Sequence, residues 1–362
     1  MRLSIAAFLA LAPALLACTP RDDDYLLLRR AKAAGGADEP TRLALASPND
    51  AEAYYLRHLL ASGFGAELMR TYAMTKRFAA STAGTHETPT TIALGTPDAR
   101  AARARRVEIG WWRTTIAGDA PIIWIDDSEG RPDRSTMADL VSGLGGAIVD
   151  VVAPETGAAH SPSAALRAGY VAFLEVVAAE WRPPRATDDR DDLRRLRVFA
   201  DVRGNDAVLR REGHPREMVG DPGVVATVLY RLASSELGRQ MADTSVYRPF
   251  LEAQPPRDVH PALLLGAFRN FQAKLLAAWS RAAAGGRPPH DVIDLVEAYG
   301  DAYPAERATA TRIFLVTTYG ATALPDGVRA DEAPERVESQ LAMLTADVLF
   351  GRRGLRDYAR GR

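Results

Sequence analysis

The chain has 362 residues, of which 47% are hydrophobic and 25% are charged. This balance is typical of a globular protein with a sizeable core, and it excludes disorder of the whole chain. The 45 basic and 46 acidic residues give a formal net charge of −1, so the composition offers no basic excess for nucleic acid, and the single cysteine has no disulfide partner within the chain.

The N-terminal segment has the pattern of a secretory leader. Arg2 precedes an apolar run over residues 3–16, which has the length of a signal sequence and is too short for a stable membrane span. The run ends in Leu15-Leu16-Ala17-Cys18, which resembles the lipobox of bacterial lipoproteins. The resemblance implies cleavage before Cys18 and transfer of a diacylglyceryl group to its thiol. We therefore predict a lipoprotein signal peptide over residues 1–17 and lipidation, with fatty acids such as palmitate, at Cys18. The alternative is an ordinary buried cysteine.

The predicted lipid anchor implies a location in the cell envelope. Thr19 follows the cysteine. Lipoproteins that Gram-negative bacteria retain in the inner membrane have Asp at this position, so the resemblance favours the outer membrane. We expect the body to face the periplasm or the cell surface. The predicted partners are the membrane, through the anchor at Cys18, and an envelope protein or glycan, with no nucleic acid.

The chain after the leader is predicted to have three parts. Residues 18–46 have the composition of a tether, with a glycine-containing break at 34–38, and Tyr25–Leu28 is predicted to start a short helix. Residues 47–210 are predicted to be a mixed α+β region, and residues 211–362 a helical region that packs with it or separately. The fold class is therefore predicted to be mainly α with a small antiparallel β element (α+β), and the C-terminal part all-helical.

The first part of the mixed region is predicted to be a helical hairpin over residues 47–82, interrupted at Gly63-Phe64-Gly65. The pair resembles one tetratricopeptide unit only faintly, and no second copy follows, so we reject a repeat array. The predicted strands are rich in β-branched and aromatic residues and cover 90–94, 107–116, 122–125 and 198–202.

Prolines predict several helix starts, because a missing N–H costs least in the first turn of a helix. Apolar residues then recur at intervals of three and four. One such stripe runs from Leu166 to Trp181, a second from Leu264 to Trp279 before Gly285-Gly286, and a third follows Pro334. We expect five or six helices after about Gly220. The prolines in question are Pro162, Pro222, Pro261, Pro304 and Pro334.

Candidate chemistry is sparse, because the sequence contains no diagnostic catalytic motif. Asp126 and Asp127 directly follow a predicted strand, and two adjacent carboxylates can share a proton or bind a cation. His160 and His214 are the candidate histidines that would complete an Asp/His catalytic site with them. We predict no metal site and no cofactor. Candidate ligand-binding residues are the aromatic side chains of Trp111, Trp112 and Trp124, which can stack on sugars.

Two further features have simpler interpretations. Gly143-Leu144-Gly145-Gly146 does not follow a clear strand as a dinucleotide-binding loop requires, so we predict a helix C-terminus or a packing turn. His290 precedes a predicted helix and is expected to cap it.

Three functional hypotheses follow. The first is a lipid-anchored envelope protein with a helical body that binds or scaffolds a partner without catalysis. The second is a periplasmic hydrolase of cell-wall or envelope polymers with the Asp/His site. The third is a solute-binding lipoprotein, although the alternating strand and helix units of such proteins are missing.

Overall fold

The computed structural model describes four strands, eight helices with some of their connecting turns, and a few positions near the C-terminus. The described residues are 26–32, 42–45, 60, 63–83, 90–94, 122–125, 134–153, 162–181, 219–240, 246–247, 267–319, 346–347, 349–350 and 355.

Helices account for most of the described residues. In chain order they are α1 (Gly63–Ala83), α2 (Arg134–Val152), α3 (Ala164–Trp181), α4 (Pro222–Ser234), α5 (Glu236–Arg239), α6 (Ala267–Ala284), α7 (Val292–Ala302) and α8 (Arg307–Tyr319). The prediction of a mainly α fold is confirmed. Within the described part of the chain after Gly220, every element is a helix.

The described strands form one four-stranded sheet. They are β1 (Leu26–Lys32), β2 (Arg42–Leu45), β3 (Thr90–Leu94) and β4 (Ile122–Ile125), in the order β2-β1-β3-β4. β1 pairs antiparallel with β2 and parallel with β3, and β3 pairs parallel with β4. Helix α2 packs against β4.

The prediction of a small antiparallel β element is not supported, because the described sheet is mixed and only its β1–β2 pair runs antiparallel. Strands β3 and β4 have the predicted bounds, but they run parallel, with Leu94 opposite Ile125. The connection over residues 95–121 is long enough for the crossover that parallel neighbours require. Composition indicates that a segment is extended, and it does not specify the direction of its partner. The predicted strands over 107–116 and 198–202 lie outside the described residues.

The expected helix start at Tyr25–Leu28 was also wrong. Leu26–Lys32 is a strand, and with Arg42–Leu45 it brings part of the segment predicted as a tether into the sheet. A short apolar run such as Leu26-Leu27-Leu28 fits a helix and a strand equally well by pattern, and pairing with β3 decides between them.

The predicted helical hairpin is described only in its second half. Helix α1 begins at Gly63, so the segment Gly63-Phe64-Gly65 forms the first turn of a helix and does not interrupt one. Phe64 is buried and its ring lies 5.7 Å from that of Phe268. Leu68 and Tyr72, further along α1, are buried as well. The predicted first helix of the pair lies outside the described residues, apart from Leu60.

Helix α6 lies at the centre of the helical core. It contacts α1, α2, α4, α5 and α7. Its predicted stripe is buried at Phe271, Leu275 and Trp279, and it ends as predicted at Gly285-Gly286, where Gly286 has a φ of +74°. The stripe of α3 is buried as well, at Leu166, Tyr170, Phe173, Leu174 and Val177. Apolar periodicity therefore identified the core faces of both helices.

Two glycines allow close packing around α3. A β-carbon on Gly169 would lie 2.8 Å from the Pro222 carbonyl oxygen and 2.5 Å from Val225 Cγ1, so α3 and α4 touch through backbone. On the other side of α3, a β-carbon on Gly145 of α2 would lie 2.9 Å from Leu174 Cδ1. The segment Gly143-Leu144-Gly145-Gly146 is therefore helix interior. The expected helix C-terminus or packing turn was wrong, because α2 continues to Val152.

The prediction that prolines mark helix starts was confirmed at Pro222 and was wrong at Pro304. Helix α4 starts at Pro222 as predicted, and the Asp221 carboxylate caps it by accepting from the Gly223 and Val224 amides at 2.6 and 3.2 Å. Pro304 does not start a helix, because α7 ends at Ala302 and α8 begins only at Arg307. Pro261 and Pro334 lie outside the described residues.

Candidate functional site

The most unusual polar group in the described core is the ammonium of Lys274 on α6. Its side chain is fully buried, with an exposed fraction of 0%. Nζ lies 3.0 and 3.1 Å from the two carboxylate oxygens of Glu306, which directly precedes α8. It also donates to the Leu237 and Gln240 carbonyl oxygens at 2.5 and 3.0 Å. Lys274 therefore ties α6 both to the end of α5 and to the start of α8.

The carbonyl groups that Lys274 contacts belong to the C-terminal turn of α5, where backbone oxygens lack helical partners and carry partial negative charge. Asn270, one turn before Lys274 on α6, donates from Nδ2 to the Gly238 and Gln240 carbonyls at 3.0 and 2.9 Å. Two polar side chains of one helix thus satisfy the end of another helix inside the core.

Three tyrosines surround this ion pair. The Tyr299 hydroxyl donates to Glu306 Oε2 at 2.5 Å, and the Tyr303 hydroxyl donates to the Lys274 carbonyl oxygen at 3.0 Å. The ring of Tyr247 meets that of Tyr303 edge-on at 6.0 Å. We name Lys274, Glu306, Tyr299, Tyr303 and Tyr247 the lysine cluster.

Burial shifts the acid–base equilibria of the lysine cluster. Burial lowers the pKa of Lys274 below its usual value, while the hydrogen bond and charge of Glu306 act in the opposite direction. Burial and the neighbouring Glu306 carboxylate raise the pKa of Tyr247 to about 12. The same causes hold the pKa values of Tyr299 and Tyr303 far above the usual range of a phenol.

The geometry of the lysine cluster suits a structural role. A lysine nucleophile needs a neutral amine that substrate can reach. The hydrogens of the Lys274 ammonium are taken up by the Glu306 carboxylate and by the carbonyl oxygens of Leu237 and Gln240. None of the lysine side chain is exposed. Breaking such a pair leaves an uncompensated buried charge, which costs about 3–5 kcal/mol. The lysine cluster therefore fixes how α5, α6, α7 and α8 pack.

A second buried ion pair joins α1 to α6. Arg269 donates to both carboxylate oxygens of Glu67 through Nε and Nη2, with exposed side-chain fractions of 12% for the arginine and 4% for the glutamate. The pair lies next to the contact between Phe64 and Phe268. A planar guanidinium facing a carboxylate with two hydrogen bonds fixes orientation as well as distance.

A third polar contact links α2 to α3 at the surface. Arg167 donates to the two Asp150 carboxylate oxygens at 2.5 and 2.7 Å and to the Gly146 carbonyl oxygen at 3.4 Å. Both side chains are about one third exposed. This pair fixes the orientation of α3 beside the glycine segment of α2.

Nearly all of the site residues predicted from sequence lie outside the described part of the chain. Only Trp124 is described, in strand β4, where it pairs with Ala93 through the backbone, and its side chain is not described. The others lie outside the described residues: Cys18, Trp111, Trp112, Asp126, Asp127, His160 and His214. The predicted Asp/His and aromatic sites stay predictions.

His290 does not cap α7 with its side chain. Asp291 is the N-cap, and its carboxylate accepts from the amides of Ile293 and Asp294 at 3.0 Å each. The His290 amide instead donates to the Asp294 carboxylate. A carboxylate one position later in the chain is the better acceptor for the free amides of a helix start.

Sequence reasoning missed the lysine cluster. Its signal was present, because Lys274 lies among the apolar positions Phe271 and Leu275 of the α6 stripe. A cation inside an apolar stripe requires a buried partner or a route to solvent. The identity of that partner, 32 positions further along the chain, depends on the tertiary fold.

Comparisons with known proteins give no relative. No protein-family model matches the chain, no curated protein matches it, and no solved structure matches it. Among the described residues, no group of three or more His, Cys, Asp or Glu side chains is placed to hold a metal ion, and no helix has the length and apolar character to cross a membrane.

Proposed function

We propose that the protein is a lipid-anchored protein of the bacterial cell envelope, and that its helical body is a module that binds or scaffolds a partner. The single observation that carries the proposal is the leader ending in Leu15-Leu16-Ala17-Cys18. The outer membrane is the proposed location, on the basis of Thr19 after the cysteine.

The described body gives the binding role its support. Helices α1 to α8 share one apolar core, and the charged groups buried in its described part are paired with each other. The lysine cluster offers a reactant no access to its amine. A helical body whose described core charges are enclosed suits recognition through its outer surface.

The anchor is tested by expressing the full chain in a Gram-negative host and analysing the purified protein by mass spectrometry. We expect an N-terminal peptide that begins at Cys18 and carries diacylglyceryl and acyl groups. The Cys18→Ser variant should lose the lipid and be released from membranes by a high-salt wash, while Leu16→Ala, which keeps the lipobox pattern, should behave like the parent. An unmodified Cys18 in the parent would reject the anchor.

The binding role is tested separately by crosslinking in membranes and co-purification. We expect at least one envelope protein or glycan to be enriched over an unrelated lipoprotein expressed at the same level. A destabilised body, such as the Lys274→Met variant, should lose that enrichment while remaining acylated. Equal recovery from the unrelated lipoprotein would reject the binding role and leave the anchor intact.

A further inference from the structure

Two adjacent apolar side chains near the C-terminus face solvent. Leu349 is 39% exposed and Phe350 is 76% exposed, and they are the large hydrophobic residues that the described part of the chain leaves exposed. Full burial of one such side chain is worth about 1.5–3 kcal/mol. Contact of these neighbouring leucine and phenylalanine side chains with an apolar phase therefore lowers the free energy.

The chain presents Phe350 from the body and not from a free end. Its amide donates to the Ala346 carbonyl oxygen at 2.8 Å, as in a helical turn. Leu355, five positions later, is only 2% exposed and belongs to the hydrophobic core. Five residues reach at most about 18 Å. Leu355 therefore anchors the chain to the core within that distance of the exposed pair.

The sequence after Phe350 is strongly basic. It contains a single acidic residue, Asp357, and five arginines, at positions 352, 353, 356, 360 and 362. This local excess contrasts with the net charge of −1 for the whole chain. Each Arg close to an anionic bilayer contributes about 1 kcal/mol of attraction. Aromatic side chains combined with basic residues are the composition of interfacial membrane-binding segments.

We propose that Leu349 and Phe350 form a membrane-contact surface that binds an anionic lipid bilayer, with the arginines after them supplying the charge attraction. Phe350 enters the boundary between headgroups and acyl chains, and the positive charge that the sequence concentrates after it attracts the lipid phosphates. The inference goes beyond the proposed function, because it needs neither acylation of Cys18 nor a protein partner. It would add a second membrane contact to a lipid anchor.

The test uses the full chain with Cys18→Ala, which has no native cysteine and cannot be acylated. A polarity-sensitive dye is attached to Gly351→Cys, beside Phe350. With vesicles of phosphatidylethanolamine and phosphatidylglycerol we expect a blue shift of dye emission, and with phosphatidylcholine vesicles no shift. High salt should weaken the binding, because it screens the attraction between the arginine charges and the anionic lipids. A dye on Ser234→Cys, an exposed position of α4, should not shift.

Two matched variants identify the groups responsible. Arg352→Gln/Arg353→Gln should weaken binding to anionic vesicles by about tenfold or more, since two charges contribute about 2 kcal/mol. Arg239→Gln/Arg287→Gln removes the same charge at exposed positions and should change binding less than twofold. Phe350→Ser should abolish the blue shift.

Four outcomes would overturn the proposal: no shift with anionic vesicles, an equal shift at position 234, an equal loss in the two charge variants, or a shift that rises with protein concentration without lipid. The last result would show that the surface binds a second copy of the chain. None of these outcomes bears on acylation of Cys18, which the mass measurement decides.

Discussion

Lys274 and Glu306 form an ion pair inside the hydrophobic core, with the ammonium 3.0 Å from one carboxylate oxygen and 3.1 Å from the other. The lysine side chain has no exposed surface, and the glutamate side chain is 7% exposed. Each charge neutralises the other. Removing either side chain alone would therefore leave an unpaired ion in a poorly solvating environment.

We predict strong coupling between these two residues. Lys274→Met should lower the free energy of unfolding by about 3–5 kcal/mol, and Glu306→Gln by a similar amount, since each leaves the other charge buried and unpaired. The double variant should cost much less than the sum, because no unpaired charge remains. Urea denaturation of the four proteins gives the coupling energy. The exposed pair of Arg307 and Asp301 is the control, and Asp301→Asn should cost no more than about 1 kcal/mol.

The packing of α2 and α4 against α3 predicts opposite effects for two glycine substitutions. Gly169→Ala should destabilise the protein by about 1–3 kcal/mol or more, because its β-carbon would overlap Val225 and the Pro222 carbonyl. Gly146→Ala should stabilise it by about 0.5–1 kcal/mol, because its β-carbon meets nothing nearer than 3.7 Å in a helix interior. Thermal unfolding followed by circular dichroism measures both.

A third variant checks the mechanism of the Gly169 effect. Val225→Ala keeps its own β-carbon, which is the nearest atom to the added group, so it should not restore the stability lost in Gly169→Ala. Recovery in that double variant would show that the clash involves only the flexible part of the valine side chain.

The buried tyrosines predict a loss of stability in alkali. The pKa values of these tyrosines in the folded protein lie above the unfolded value of 10.0. Above pH 10 the unfolded chain therefore releases phenolic protons that the folded protein keeps. The free energy of unfolding is highest below pH 10 with respect to these groups and decreases as the pH rises further. Each such tyrosine contributes about 1.4 kcal/mol per pH unit. For Tyr247 the loss ends near its folded pKa of about 12. The tyrosines concerned are Tyr170, Tyr247, Tyr299 and Tyr303.

Lys274 changes the stability in the opposite direction. Because its pKa is lowered in the folded state, the unfolded state binds more protons just below pH 10.5, and stability rises with pH there. This single group offsets the effect of at most one tyrosine. Ultraviolet absorbance of tyrosinate and far-ultraviolet circular dichroism should therefore change together on alkaline titration. Ionisation of all 11 tyrosines before loss of helix would contradict the prediction.

The pair of Glu67 and Arg269 predicts a difference between two cations. Arg269→Lys keeps the charge but loses the fork of two parallel hydrogen bonds, so it should still destabilise the protein by about 1–3 kcal/mol. Arg167→Lys provides the comparison on a pair that is about one third exposed, and its cost should be below about 1 kcal/mol. Arg167 also makes two hydrogen bonds to its carboxylate, so the two variants differ in the burial of the pair. Chemical denaturation of both variants is the measurement, and equal costs would show that burial does not strengthen the two-bond contact.

Local signals predicted much of the helical structure. Asp221-Pro222 combines an N-cap with a residue suited to the first turn, and α4 starts there. The stripes of α3 and α6 are buried as their spacing predicts. These features depend on neighbours within a few positions of each other, which a sequence pattern contains directly. The leader and Cys18 are likewise local features, and the proposed anchor depends on them alone.

The sequence by itself determined that the protein is mainly helical, where α4 starts, where α6 ends, and which faces of α3 and α6 are buried. The tertiary structure decided that β3 and β4 run parallel, that the Gly143–Gly146 segment packs inside a helix, and that Lys274 meets Glu306. The physical reason is the range of the interactions. Caps and stripes depend on residues within one or two turns, whereas strand direction, close helix contact and ion pairing in the core depend on segments far apart in the chain.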